Sequence, residues 1–264
     1  MLYLSVIKIG GNIVDNPEAL DKFLLDFAKL DGPKILVHGG GKVATKISQA
    51  LGIETQMIEG RRVTDQETVK VVTMVYAGLV NKTIVAKLQA LSCDAMGFSG
   101  ADGDIIRAHK RKPKNGSVDY GYVGDIDEVN DELLINIINS DIVPVMAPIT
   151  HDGTGQLLNT NADTIASSVA VAVAGHIPVR LIYCFELPGV LRDINDKNSV
   201  ISDIDTTSYV QLKKEGVIAD GMIPKMDNCF EAITDGVSAV YICHADNLLG
   251  LLQGDTATGT KLKA

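Results

Sequence analysis

Two apolar runs in this chain end in consecutive glycines and pass directly into helical periodicity: "VIKIGGN" (6–12) and "KILVHGGGKVATK" (34–46). A strand that leaves through a glycine turn into a helix cannot come back as a tight hairpin, so the strand that follows lies parallel to it. The rest of the chain keeps this alternation. Helical spacing covers 17–30, 66–91 with a break expected near Gly78, 161–175, 206–215 and 221–235. "DIVPVMAPI" (141–149), "VRLIYCF" (179–185) and "SAVYIC" (238–243) read as buried strands. The predicted class is α/β, with a mainly parallel central sheet between helices. Residues 102–129 depart from the pattern, because short strand-like pieces flank the turn-rich "KNGS" and predict β-hairpins over an edge or mouth of the sheet. A change of character near 140–160 is the candidate boundary between two lobes of one continuous fold.

Three successive glycines are costly in conformational entropy and mark a tight turn or a close approach to the main chain. A helix start carries unpaired amides and a partial positive charge, so an anion is the first candidate for that approach. Gly10 and Gly11 follow Lys8 closely, and Gly39, Gly40 and Gly41 precede a helix; two such turns and a lysine at strand ends predict one phosphoryl-sized site. Other phosphate motifs fit less well. Gly39, Gly41, Ala44 and Glu59 satisfy a relaxed dinucleotide fingerprint, but in the second strand-helix unit rather than the first, and no G-x-x-x-x-G-K-[ST] loop occurs. Arg61 and Arg62, in "EGRRVTD", offer a guanidinium fork suited to a carboxylate. In "LLNTNADTIA", Asn159, Asn161 and Asp163 crowd a helix start, where capping explains one of them and not all three. Lys225 follows Gly221 in "ADGMIPKMDN".

Charge and cysteine content narrow the function classes. A formal charge of -9, spread along the 264 residues, argues against a nucleic-acid or anionic-membrane surface and requires a local basic pocket for an anionic substrate. Cys93, Cys184, Cys229 and Cys243 show no C-x-x-C spacing, which speaks against a disulfide framework or zinc site and for the cytosol. No basic and apolar leader follows Met1, and "IASSVAVAVAG" (165–175) is well short of the ~20 apolar residues that span a bilayer.

"KIGGN", "VHGGGK", "GRRVTD", "LNTNAD" and "DGMIPK", in this order and at these separations, resemble the amino acid kinase family, and the similarity continues through "GFSGADG", "YGYVGDIDEVN" and "GTKL". The pairing of "RVT" with "NxNAD" sets the chain apart from the aspartokinase and uridylate kinase branches. The resemblance implies an α/β/α sandwich and ATP-dependent phosphorylation of the side-chain carboxylate of N-acetyl-L-glutamate, a step of arginine biosynthesis. Residues 1–155 would bind the acylated amino acid and 156–264 would bind ATP. Magnesium would ride on the phosphates, with no protein residue assigned as its ligand.

By the same resemblance, Lys8 and Lys225 neutralise charge on the transferring phosphoryl group, and Asp163 holds both lysines in position. The amides of Gly11 and Gly41 cradle the phosphoryl oxygens, and Gly40 and Gly41 also touch the amino-acid substrate. Arg62 and Asn159 hold the α-carboxylate and the neighbouring amide, with Asn161 beside them. Gly10, Glu186, Leu187, Pro188, Gly189, Val190, Leu191, Val217, Ile218 and Ala219 fall on the nucleotide side. Glu186 stands where many relatives carry aspartate. His38 reads as a support for the glycine turn rather than a base, since a carboxylate acceptor is already ionised at neutral pH. Family members inhibited by arginine carry a helix before the first strand; this chain starts at that strand, so a cytoplasmic, arginine-insensitive homodimer is expected. The same chemistry on another N-acylated acidic amino acid such as N-succinylglutamate, or a silent sensor on the same fold, stays open.

Overall fold

The computed structural model describes residues 3–58, 61–113, 118–219, 222–254 and 259–264. Glu59 of the dinucleotide fingerprint, the "KNGS" turn and Gly221 lie outside the described residues. The first half comprises β1 (Leu4–Ile9), α1 (Gly11–Asp15), α2 (Pro17–Ala28), β2 (Lys34–His38), α3 (Gly41–Ala50), β3 (Met57–Ile58), β4 (Arg61–Arg62), α4 (Gln66–Thr73), α5 (Asn81–Ala90) and β5 (Ala95–Phe98). Next come β6 (Ile106–Lys110), β7 (Gly124–Val129), α6 (Asp131–Asn139), β8 (Val143–Met146), β9 (Ile149–His151), β10 (Leu157–Asn159), α7 (Ala162–Ala174) and β11 (Val179–Phe185). The chain closes with β12 (Asp203–Ile204), α8 (Thr206–Lys214), α9 (Met222–Thr234), β13 (Ala239–His244), α10 (Leu248–Leu252) and β14 (Gly259–Leu262).

Eight strands form one sheet in the order β12-β14-β13-β11-β1-β2-β8-β5, parallel throughout except where β14 meets β13. β1 pairs with β2 on one side and with β11 on the other, so a single sheet runs through both halves of the sequence. All six residues of β1 are buried, as a central parallel strand covered on both faces must be. Its side chains alternate between two cores. Leu4 and Val6 pack with Val169, Ala170 and Val173 of α7 and Phe230 of α9, while Ile7 and Ile9 pack with Phe23 and Phe27 of α2 and Ile84 and Leu88 of α5. Lys8 shares the parity of Leu4 and Val6 and therefore projects toward α7. Arg111 donates to Asp125 across the hairpin of β6 and β7, which joins β9 and β10 in a second sheet of order β10-β9-β6-β7.

Local signals account for the helix boundaries. Asn16 caps α2 by accepting from the amides of Glu18 and Ala19, with Pro17 in the first turn. Asp65 caps α4 at 2.7 Å from the amide of Thr68. The break expected near Gly78 is absent. α4 instead passes through a π-helical segment, Met74–Val80, into α5, so the helical path continues while its phase shifts.

Candidate active site

The ends of β2, β1 and β11 lie side by side, with Ile9 in register with His38 and with Cys184. Two bonds lock the turns to those ends: the amide of Gly39 donates to Ile9 O and that of Gly10 to Cys184 O, both at 3.3 Å. None of Gly10, Gly11, Gly39, Gly40 and Gly41 adopts a left-handed φ, so turn strain does not explain the five glycines. Packing explains one of them. A side-chain carbon on Gly40 would lie 2.9 Å from Cδ1 of Tyr76. On Gly10, Gly11, Gly39 or Gly41 it would meet protein atoms only at 3.5–4.0 Å, ordinary contact. What it would fill is the space above the two helix starts, where Gly11 abuts Gly41 and, among the described residues, no side chain caps α1 or α3. Open space over unpaired amides suits phosphoryl or carboxylate oxygens.

On the α7 face of the sheet, Lys8 Nζ stands 2.6 Å from Asp163 Oδ1, with the lysine side chain 9% exposed. Charge and proximity hold the pair, for Asp163 Oδ1 has no aligned hydrogen-bond partner among the described residues. Lys225 in α9 places its ammonium 4.3 Å from the ring centre of Phe185, and Lys8 lies 5.3 Å from the same ring. The aromatic ring is thus a floor shared by two cations. Among the described residues, Asp163 forms an ion pair with Lys8 and none with Lys225. The three polar residues around the start of α7 divide their work. Asn161 is the cap, accepting from the amides of Asp163 and Thr164, whereas Asn159 donates from Nδ2 to Thr64 Oγ1 at 3.0 Å and Asp163 faces Lys8.

Arg62 closes the opposite side. Its Nη2 donates to Gly41 O at 2.9 Å and to Thr45 Oγ1 at 2.8 Å, and Nη1 donates to Thr55 Oγ1 at 3.2 Å, fixing the guanidinium against the first turn of α3. The following residues are clamped as well, since Thr64 exchanges backbone hydrogen bonds with Tyr120 and Tyr122. A carbon added to Gly121 would sit 2.2 Å from Thr64 O, and its φ of +73° adds a second reason for glycine there.

His38 is fully buried behind the turn. Nδ1 lies 2.7 Å from Gly39 O and Nε2 lies 3.1 Å from Asn81 Nδ2, an arrangement that assigns the proton to Nδ1. Burial holds the imidazole down at about 4, so it is neutral at physiological pH with both nitrogens engaged. Nearby thiols are inert too: the Cys243 sulfur and burial push Cys184 well up, and burial pushes Cys229 up to about 12. No base or nucleophile emerges from these groups. Among the described residues, no three His, Cys, Asp or Glu side chains converge as a metal site.

Glu186–Leu191 continues from Phe185 at the end of β11. Glu186 is exposed, Leu187 and Pro188 are half-buried, and Gly189 is packed so tightly on β14 that an added carbon would meet Thr260 Oγ1 at 2.7 Å. The amide of Val190 bonds that same hydroxyl at 2.8 Å, and Leu191 bridges to Val200. Val217, Ile218 and Ala219 lead into α9, Ile218 fixed in the core and Ala219 exposed. A cavity of about 760 Å³ opens at the other end of the sheet, among Leu4, Lys34, Ile138, Asp141 and His176. Its lysine is spent on Phe27 O, Ala28 O and Leu30 O, far from the glycine turns.

Phe185 and Tyr76 escaped the sequence reading, because each looks like an ordinary apolar residue of a strand or helix. Phe185 had one signal, its position as the last strand residue before a turn at the carboxyl edge.

The model of the Amino acid kinase family matches residues 4–244. The acetylglutamate kinase of Cytophaga hutchinsonii is 59% identical over 264 residues, 100% of both chains, and that of Bacteroides fragilis is 53% identical over 260 residues, 98% of this chain and 97% of the relative. Among solved structures, N-acetylglutamate synthase from Neisseria gonorrhoeae, complexed with coenzyme A and N-acetyl-glutamate, superposes with a TM-score of 0.84 at 21% identity. This chain covers 59% of that longer one, and the match is one of fold.

Proposed function

The chain belongs to the amino acid kinase family, and from that premise we propose that it transfers the γ-phosphoryl group of ATP to the side-chain carboxylate of N-acetyl-L-glutamate, in arginine biosynthesis. The observation that carries the chemistry is the pair of ammonium groups over Phe185, beside the open space above Gly11 and Gly41. A carboxyl acceptor with a reference pKa of about 4.3 is ionised at neutral pH, so the reaction needs no base. The obstacle is bringing one anion up to a polyanion. Lys8 and Lys225 meet the charge that develops on the transferring group, and the uncapped start of α3 gives its amides to oxygens. Asp163 keeps Lys8 aimed. Magnesium carried on the phosphates supplies further neutralisation when bound. A silent sensor would not need two cations, one buried and one exposed, over one aromatic ring.

In this reading the first half, residues 1–155, receives the acylated amino acid through Arg62, Asn159, Asn161, Gly40 and Gly41. The second half, 156–264, receives ATP along Glu186–Leu191 and Val217, Ile218 and Ala219, with Gly10 and Gly11 at the phosphates. The active form is a cytoplasmic homodimer. The helix Gln66–Ala90 supports that, because it is long and apolar enough to cross a membrane by length and composition (mean hydropathy 1.4) yet only 44% of its most apolar stretch is buried within the chain. Met74 and Leu79 on it, and Met96 on the neighbouring edge strand β5, are about half exposed, an apolar face that a second copy would cover.

A coupled ADP-release assay across N-acetylglutamate, N-succinylglutamate, glutamate and aspartate tests the function. N-acetylglutamate should give the highest kcat/KM. Preference for the succinyl compound would keep the chemistry and change the substrate, and silence on all four would refute the reading.

A further inference from the structure

Tyr76 lies within the π-helical segment Met74–Val80, a form that is rare in helices and concentrates at functional sites. Its side chain is buried, at 5% exposure, yet it does not lie wholly in the apolar core. The ring is the neighbour that forbids a side chain at Gly40. Its hydroxyl faces elsewhere: a carbon built on Gly41 would lie 4.0 Å from Tyr76 Oη and 4.0 Å from Arg62 Nη2. Two polar groups therefore converge on the same small space, which exists only because residue 41 has no side chain.

Hydrogen-bond chemistry decides what that space takes. Arg62 has no acceptor, so the phenol oxygen can only accept from it and must direct its own proton to something else. Both Nη2 protons of Arg62 already go to Gly41 O and Thr45 Oγ1. Among the described residues, Tyr76 Oη donates to no protein acceptor. The start of α3 opens onto the same space without a capping side chain. A donor hydroxyl, the positive charge of a guanidinium whose Nη2 protons are already engaged, and uncapped helix amides together call for an anion with several lone pairs, and a carboxylate fits.

Resting on the reading above, we propose that Tyr76 is a substrate-binding residue whose hydroxyl donates to the substrate α-carboxylate alongside Arg62. Burial pushes its phenol up and the Arg62 charge offsets only part of that, so the proton is retained at neutral pH. The π-helical segment then has a role: it shifts the helical phase at Tyr76, whose hydroxyl meets the start of α3.

Tyr76→Phe tests this, because it keeps the ring against Gly40 and removes only the hydroxyl. A lost hydrogen bond to a charged group corresponds to about a 10-fold or greater rise in KM for N-acetylglutamate. kcat and the KM for ATP should stay within about two-fold, the signature of uniform binding. With the α-methyl ester of N-acetylglutamate as substrate the difference between the two proteins should collapse, since the anion is gone. An unchanged KM, or an equal penalty on acid and ester, overturns the proposal. Calorimetric titration of N-acetylglutamate into both proteins gives the same comparison without turnover: a Kd weakened about 10-fold supports it and an equal Kd refutes it. If the native enzyme binds the compound but phosphorylates none of the acylated amino acids, the function fails while the titration still judges Tyr76.

Discussion

Acid should destabilise this fold through His38 before it does so through the carboxylates. The folded imidazole is held at about 4 by burial, against 6.5 for the exposed side chain. The sign follows from proton counting. Between those values the unfolded chain binds a proton at His38 and the folded chain does not, so stability present above pH 6.5 is lost as pH falls toward 4, and nothing more is lost below. A gap of about 2.5 pKa units corresponds to about 3 kcal/mol over the full window, with about 2 kcal/mol of it gone by pH 5. Asp65 and Asp125, held below the usual carboxylate range by the Thr68 amide and by Arg111, act only below pH 3.8. His38→Asn removes the titration while leaving an amide able to donate to Gly39 O, at a cost of about 1–3 kcal/mol at pH 7.5 from lost packing. Urea unfolding of both proteins at pH 7.5, 6 and 5 isolates the effect, because every other titrating group is common to the pair. The native protein's advantage should shrink by about 2 kcal/mol between pH 7.5 and 5. A difference that stays constant across that range would show that His38 is protonated in the fold, and the tautomer assigned through Gly39 and Asn81 would be wrong.

Lys8→Ala and Lys225→Ala should each lower kcat by about 10²- to 10³-fold, the usual loss of one preorganised donor, in steady-state assays paired with ATP-binding titrations; near-native turnover with weakened ATP affinity would instead make that lysine a ground-state phosphate ligand. Gly40→Ala drives a methyl group to 2.9 Å from the Tyr76 ring, so it should cost about 1–3 kcal/mol in urea unfolding and raise KM for the acylated amino acid, whereas an unchanged KM would show that the Tyr76 ring can withdraw without disturbing the substrate side.

The strands and the turns between them were legible because their signals are local. β11 spans Val179–Phe185 as its run of large apolar residues predicts, and Lys8 follows the two-residue alternation of β1 onto the α7 face. What was not legible depends on residues far apart in the chain. Asn159, Asn161 and Asp163 looked like one crowded helix start, and only the approach of Thr64 and Lys8 separates their tasks. The break expected at Gly78 assumed a constant helical period; a π-helical segment closes each backbone hydrogen bond one residue further along (i→i+5) without interrupting the backbone, so an α-helical spacing cannot reveal it. Tyr76 was hidden for the same reason. The glycines at 39–41 suggested either strain or close approach, and only dihedral angles and the space around each α-carbon decide between them.

β2, β1 and β11 are bonded to one another in parallel register up to the residues that begin the turns. Neighbouring strands keep a separation of about 4.8 Å, which neither turn can alter without breaking the ladder. In the proposed function, with the acceptor over the end of β2 and the nucleotide over the end of β11, the sheet would act as a ruler laid between two reactants. An acceptor shorter by one methylene would leave its oxygen roughly 1 Å from the line of attack, a displacement that costs about 10²-fold in rate. Glutamate-length acceptors would then be distinguished from aspartate-length ones by the pitch of the backbone, once Arg62 and Tyr76 hold the α-carboxylate at the β2 side.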